Sequence, residues 1–385
     1  MQISEVSAKS ILDSRDEKTI FVSVKANSGK SFSASSPSGK SKGKHEAKSY
    51  VKSIEWDIKK IEQLSEYFSE EIIESFDDLK RIEDIVDRQI GANTLFALES
   101  AVLKGLADEQ KKEVWELINS DSKKFPRLVG NCIGGGKHSN AKKKPDFQEF
   151  LLIPDLSSVE KSFGANKKAK KDAEEILKKK DKNFESKKND ENAWVTSLNE
   201  KEVLDVLSNV KLPLGLDVAA SSFYKRKKYD YKNPMLKRDG KEQFGYLSNL
   251  ISNFNLCYIE DPFDEEDFES FAKLLEKFPD RLIVGDDLIV TNPKRLKKAI
   301  EMKSVNAIIV KPNQIGSLIV MKEVCDIAKE NNIKLVFSHR SGETEETILA
   351  DLAFGFGADF FKCGIEGDVR EKKILRLIEI EKGLK

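Results

Sequence analysis

The chain has 385 residues, its 66 Lys+Arg are balanced by 66 Asp+Glu, and 39% of it is hydrophobic. That is enough for a packed core, and long enough for two domains or one large barrel with a smaller unit. Zero net charge argues against a globally basic nucleic-acid binder, and the lack of any run of about 18 apolar residues argues against a membrane span.

The opening Met1-Gln2-Ile3-Ser4-Glu5 has neither the basic start nor the apolar stretch of a signal peptide. Residues 1–125 read as one unit. Ile20 to Ala26 alternates apolar and polar residues and predicts a strand. Ser35 to Lys44 is too polar and glycine-bearing for regular structure. Helical patterns follow over His45–Ser65, Phe76–Gln89 and Asn93–Asp108, the last with Leu95, Leu98, Val102 and Leu106 on one face. Lys167–Asn192 is lysine-rich without interleaved aromatics, which predicts a solvated helix and loop rather than a nucleic-acid patch. Cys132, Cys257, Cys325 and Cys363 are far apart and form no Cys-x-x-Cys pair, as expected of reduced thiols in a cytoplasmic protein.

From about Leu212 short apolar runs alternate with amphipathic stretches: Leu212–Leu216, Leu256–Ile259, Leu282–Val284, Ala307–Val310, Lys334–Phe337 and Asp359–Phe361. This predicts parallel βα units and, with so many in a row, a closed βα (TIM-like) barrel over 126–385. An open doubly wound sheet is the alternative, but no Gly-x-Gly-x-x-Gly turn follows any of the runs. The runs end at or near Asp217, Glu260, Asp286, Lys311, His339 and Lys362. In a parallel barrel all strand C-termini open on one face, so these groups converge there. Three carboxylates suit a hard cation such as Mg2+; zinc fits less well, because no Cys/His cluster has ligand spacing. Lys311 and Lys362, close to a metal and to each other, would have lowered pKa values and could act as a base. A Schiff-base lysine is the alternative, and the bland reading of each charged residue is a local ion pair.

Ser338-His339-Arg340-Ser341-Gly342-Glu343-Thr344 closely resembles the signature of the enolase (phosphopyruvate hydratase) family. The resemblance spans nearly the whole chain. It includes Leu12-Asp13-Ser14-Arg15, Pro37 to Gly43 with His45-Glu46-Ala47, Gly91-Ala92-Asn93, Gly135-Gly136-Lys137-His138 and Gln148-Glu149-Phe150. It continues through Leu216-Asp217-Val218-Ala219-Ala220-Ser221, Ile259-Glu260-Asp261-Pro262, Gly285-Asp286-Asp287-Leu288 and Asn313-Gln314-Ile315-Gly316. The resemblance implies an N-terminal α+β capping domain and a barrel whose first units are irregular in order. It implies reversible dehydration of 2-phosphoglycerate to phosphoenolpyruvate with two Mg2+. Asp217, Glu260 and Asp286 would hold the first Mg2+ and Ser41 the second. Lys311 would be the base at C2 and Glu191, beside Glu149, the acid at the C3 hydroxyl. Lys362 would bind the substrate carboxylate, Arg340 and Ser341 its phosphate, with His138 and His339 in the pocket.

Departures from the family pattern bear on this reading. Asp190-Glu191-Asn192-Ala193-Trp194-Val195-Thr196 lacks the two glycines that usually follow the acid, which would stiffen that loop and shift Glu191. Lys40 and Lys42 flank Ser41, where the family usually has Ala and Thr. Asp16-Glu17-Lys18-Thr19 replaces Gly-Asn-Pro-Thr. Phe21 and Glu379 replace a glutamate and an arginine that commonly pair across the dimer, so a homo-oligomer (dimer or higher) with altered contacts is expected. The altered loops leave two other readings open: a non-catalytic interaction protein on the same scaffold, and a lyase or racemase of the same superfamily acting on another carboxylate.

Overall fold

The structure is a computed structural model that describes residues 1–40 and 43–384. Ser41 and Lys42, and with them the expected ligand of a second Mg2+, lie outside the described residues. The chain opens with an antiparallel sheet of β1 (Ile3–Leu12), β2 (Lys18–Ala26) and β3 (Ser31–Ser35). Alternation works as expected in β2: Ile20, Val22 and Val24 are fully buried while Phe21, Ser23 and Lys25 face outward. The buried face packs on the helix Ala92–Gln110, whose buried positions are mostly apolar but include Asn93, Thr94, Glu99 and Ser100.

The helix expected over 45–65 is confined to Ile54–Leu64. The backbone before it is drawn into bonds with segments far along the chain. Lys44 N donates to Glu265 Oε2 at 3.0 Å and Ala47 N to the Gln314 carbonyl at 2.9 Å. Ser53 then caps the helix by accepting from Trp56 N at 3.2 Å. The segment expected over 76–89 shrinks likewise to Leu79–Val86.

The second unit is a closed barrel. Its strands are β4 (Arg127–Gly134), β5 (Glu149–Leu152), β6 (Leu214–Asp217), β7 (Tyr258–Glu260), β8 (Leu282–Gly285), β9 (Ala307–Val310), β10 (Lys334–Ser338) and β11 (Phe360–Lys362). They pair in chain order, and β11 closes the ring against β4 through Phe360↔Arg127 and Lys362↔Val129. The last six are the expected apolar runs. The departure is β5, antiparallel to both β4 and β6. An antiparallel strand brings its first residue, not its last, to the rim where the others end. Glu149 thereby pairs in register with Asp217.

Two core layers follow from the two-residue strand period. Val129, Leu151, Ile153, Tyr258, Val284, Ala307, Ile309, Val336 and Phe360 fill the barrel interior. Their neighbours Leu128, Ile259, Ile283, Ile308, Leu335 and Phe361 face the surrounding helices. The site residues continue the inward parity. Glu260 is two past Tyr258, Asp286 two past Val284, Lys311 two past Ile309 and Lys362 two past Phe360. The polar cap of the barrel is therefore the next layer of the same interior.

The N-terminal unit is seated on that end by buried polar contacts. Leu318 N donates to Glu99 Oε2 at 2.6 Å, Asn313 Nδ2 to Asn93 Oδ1 at 3.0 Å, and Ser35 Oγ to Thr344 Oγ1 at 2.8 Å. Among the described residues no helix is long and apolar enough to cross a membrane.

Because Ile309 is fully buried directly beneath Lys311, Ile309→Ala is expected to cost about 2–5 kcal/mol of stability, read as a lower denaturation midpoint. An unchanged midpoint would contradict the interior packing described.

Candidate active site

Lys362 is the hub of the barrel mouth. Its ammonium donates to Asp217 Oδ2 at 2.9 Å and to both Glu260 oxygens at 2.8 Å, and lies 3.3 Å from Glu149 Oε2. Tyr258 OH supports Glu260 Oε2 at 2.7 Å. Lys311, just past β9, donates to Asp286 Oδ2, while Gln314 Nε2 donates to Asp286 Oδ1 at 3.2 Å. Asp261 accepts from the backbone N–H of Asp286 at 3.0 Å and of Asp287 at 2.7 Å, which fixes the turn that carries Asp286.

The expected lowering of the lysine pKa values is not found. Burial works to lower both, but Asp286 and Glu260 together overcome it at Lys311, and Asp217, Glu149 and Glu260 together overcome it more strongly at Lys362. Both lysines are held above their usual range because each sits closer to carboxylates than to the other cation. The carboxylates show the complementary strain. Burial, then Asp217, pushes Glu260 well above the usual range; burial, then Asp287, does the same to Asp261; and burial with Asp286 lifts Asp287 to about 8. Carboxylates at this rim outnumber the cations facing them, and their oxygens are the hard donors that Mg2+ prefers. This excess of buried carboxylate oxygen fits a divalent cation. Among the described residues the carboxylate and imidazole groups that already converge are Asp261–Asp286–Asp287 and His138–Glu149–Glu191. Asp217 and Glu260 are instead drawn onto Lys362.

Glu149, beside Lys362, begins the second group. His138 Nδ1 is 3.3 Å from Glu149 Oε1 and 3.5 Å from Glu191 Oε1. Asn131 Nδ2 donates to Glu191 Oε2 at 3.1 Å, and His339 Nε2 lies 3.9 Å from the same oxygen. Arg370 Nε donates to His339 Nδ1 at 3.2 Å, which leaves the proton of a neutral imidazole on Nε2, facing Glu191. The two carboxylates are pushed apart. Burial and Glu191 raise Glu149. Burial also works to raise Glu191, but His138, His339 and Arg370 overcome it and hold Glu191 well below the usual range.

Arg340 and Ser341 form the third wall. Arg340 donates to Asn313 Oδ1 at 3.1 Å and to the Glu46 carboxylate at 3.0 and 3.1 Å. Ser341 Oγ accepts from Arg15 Nη1 at 3.1 Å and from Lys40 N at 2.8 Å. Gly39 lies so close over Arg340 that a Cβ there would come within 1.9 Å of its guanidinium. Lys40 Nζ reaches across to Asp190 Oδ2 at 2.7 Å. Every expected site residue except Glu260 and the undescribed Ser41 lines one small pocket, of about 30 Å3, and Glu260 sits directly behind Lys362. Sequence reasoning gave no role to Arg15, Glu46, Gln148, Asn313 or Arg370. Arg15, Glu46, Gln148 and Asn313 lie within matched motifs, but Arg370 carries no local signal, because its partners His339 and Ser341 come from a distant segment.

Glu191, held low in the folded chain, adds stability above its unfolded pKa of about 4.3, and that stability is lost as the pH falls below it. Wild-type stability should therefore fall more steeply than that of Glu191→Gln on acidification below about pH 4.3. Melting temperatures across that range test this; parallel curves would remove the assigned shift.

Comparison with known proteins bears on this geometry. The family profile described as "Enolase, N-terminal domain" matches residues 3–118, and "Enolase, C-terminal TIM barrel domain" matches 122–385. Similar proteins named Enolase include one from Pyrobaculum aerophilum, 34% identical over 99% of this chain and 96% of its own. One from Methanocorpusculum labreanum is 35% identical over 99% of each chain. Another, from Thermoplasma acidophilum, is 33% identical over 100% of this chain and 99% of its own. With both halves matched and the site assembled on a closed barrel, the chain belongs to the enolase family.

Proposed function

We infer that this enolase-family lyase dehydrates 2-phosphoglycerate reversibly to phosphoenolpyruvate, with Lys311 as the base at C2. The observation that carries the reading is that Lys311 and Lys362 line the same pocket as Glu149, His138 and Glu191. A base and a proton donor thus face one substrate-sized position from opposite walls once the pocket opens.

Arg340, Ser341 and the adjacent Arg15 suit a phosphate, since a guanidinium offers a planar fork of donors. That phosphate would take the place of Glu46 on Arg340. Lys362 binds the carboxylate and so stabilises the charge that builds there when C2 loses its proton. Lys311 takes that proton. The C3 hydroxyl leaves with a proton from the Glu149–Glu191 pair, with Glu191 nearest the donors that stabilise it and His138 and His339 setting the pair's charge. Asp217, Glu260 and Asp286 would hold Mg2+, and Ser41 would be the ligand of a second ion, as the family resemblance implies. When bound, Mg2+ supplies the positive charge that an enediolate beside a carboxylate needs, and it relieves the excess of carboxylates at the rim. Four free cysteines fit a cytoplasmic setting. The division at 125/126 and a homo-oligomer with altered contacts belong to the same reading; within this chain Glu379 pairs with Arg376 at 3.5 Å rather than standing free for a partner.

The reaction is tested by the ultraviolet absorbance of phosphoenolpyruvate formed from 2-phosphoglycerate and Mg2+; no turnover at high protein concentration would refute it. Lys311→Ala should lower kcat by about 10²- to 10⁴-fold with the fold intact, and wild-type turnover by that variant would remove the assigned base. Chelation should abolish activity and added Mg2+ restore it, while Asp286→Asn should raise the Mg2+ concentration needed for half-maximal rate. An unchanged requirement would remove Asp286 from the ligand set.

A further inference from the structure

The loop that carries Glu191 has Asn192 and Ala193 where the family usually places two glycines. Asn189 does part of the work: its Oδ1 accepts from Glu191 N at 3.0 Å and Ala193 N at 2.9 Å. Its backbone N–H donates to the Ala193 carbonyl at 2.9 Å. Asn192 adopts the left-handed conformation, φ 61°, which asparagine tolerates better than most residues. Its side chain fills the space over Gly367, where a Cβ would come within 2.2 Å of Nδ2.

Beneath the loop lies Lys170, from the lysine-rich helix Val159–Lys180. Its side chain is 1% exposed. Its ammonium donates to the Asn192 carbonyl and to Glu366 Oε2, the latter at 2.7 Å, and lies 5.1 Å from the Trp194 ring centroid. Trp194 Nε1 donates in return to the Lys170 carbonyl at 3.0 Å. Glu366 also takes Lys188 at 2.7 Å, and it follows Lys362 by four residues. One buried ammonium therefore ties the residue after Glu191 to the segment after Lys362. A lysine taken out of water costs several kcal/mol unless fully paired. Here each strong partner belongs to a loop that carries a site residue or follows one.

We propose that Lys170 is a positioning residue for Glu191, holding the proton-donor loop in register through the Asn192 carbonyl and Glu366. The proposal rests on the reading of Glu191 as proton donor. It predicts a split between the two halves of the reaction, because Lys311 on the opposite wall does not depend on this tie.

The test compares Lys170→Met, Lys170→Arg and Glu366→Gln in the full chain with Mg2+. Dehydration by Lys170→Met should fall on the order of 10- to 100-fold in kcat, with KM for 2-phosphoglycerate within about twofold. Exchange of the C2 hydrogen with deuterated solvent should stay near wild type. Lys170→Arg should recover most of the loss, and Glu366→Gln, which keeps the ammonium, should lie between. Amide hydrogen exchange over residues 186–196 should quicken in Lys170→Met whether or not the chain turns over substrate. Wild-type dehydration by Lys170→Met, equal losses of exchange and dehydration, or unchanged amide exchange would each overturn the proposal. If Lys170→Met does not fold, the same criteria apply to Glu366→Gln. A wild-type chain that neither exchanges nor dehydrates would instead refute the proposed function, and amide exchange would then decide the role of Lys170 by itself.

Discussion

The concentration of carboxylates at one end of a closed barrel is the constraint on which the rest of the structure depends. Asp217, Glu260 and Glu149 surround the single ammonium of Lys362, itself 4% exposed. Such a cluster is costly to bury, and removing one partner from it would strand charge in a low-dielectric interior. Apart from the Tyr258 hydroxyl on Glu260, the interior layer beneath it is apolar, so the charges stabilise one another and whatever cation they hold. The inward parity of the strands sets their direction, and closure of β11 on β4 sets their spacing.

The antiparallel strand β5 gives the site its two-sided character. A strand parallel to the others would have turned Glu149 to the far end of the barrel. Reversal places it at the rim beside Lys362 and within reach of His138. From there Glu149 and Glu191 are pushed in opposite directions, Glu149 upward by burial and Glu191, Glu191 downward by His138, His339 and Arg370 against its own burial. The lysine side has the opposite polarity, with both ammonium groups kept charged by carboxylates. A divalent ion on Asp217, Glu260 and Asp286 would screen those fields, so the metal requirement and the readiness of the base are one electrostatic problem.

The sequence departures around Glu191 are each tied into local contacts. The left-handed Asn192, the Asn189 turn and the buried Lys170 replace two glycines, and Glu191 remains 2% exposed beside its partners. Lys40, another departure, bridges to Asp190 in the same loop. The expectation of a solvated lysine-rich helix failed at Lys170 for a definite reason. Composition identifies the polar helix but says nothing of which lysine faces a carbonyl and a carboxylate contributed from other parts of the chain. The shortened helix at 54–64 has the same origin, since the backbone before it bonds to Glu265 and Gln314 far along the sequence.

By itself the sequence determined the barrel class and the chemistry of its rim. Apolar runs of strand length end in Asp217, Glu260, Asp286, Lys311 and Lys362, and alternation along a strand is a local property that survives in any context. Motif resemblance added Glu149, His138, Glu191, Arg340 and Ser341. Tertiary structure alone decided the reversal of β5, the charge state of the two lysines, the partner of Arg340 and the burial of Lys170. Each of these depends on fields and hydrogen bonds between segments that no local pattern joins.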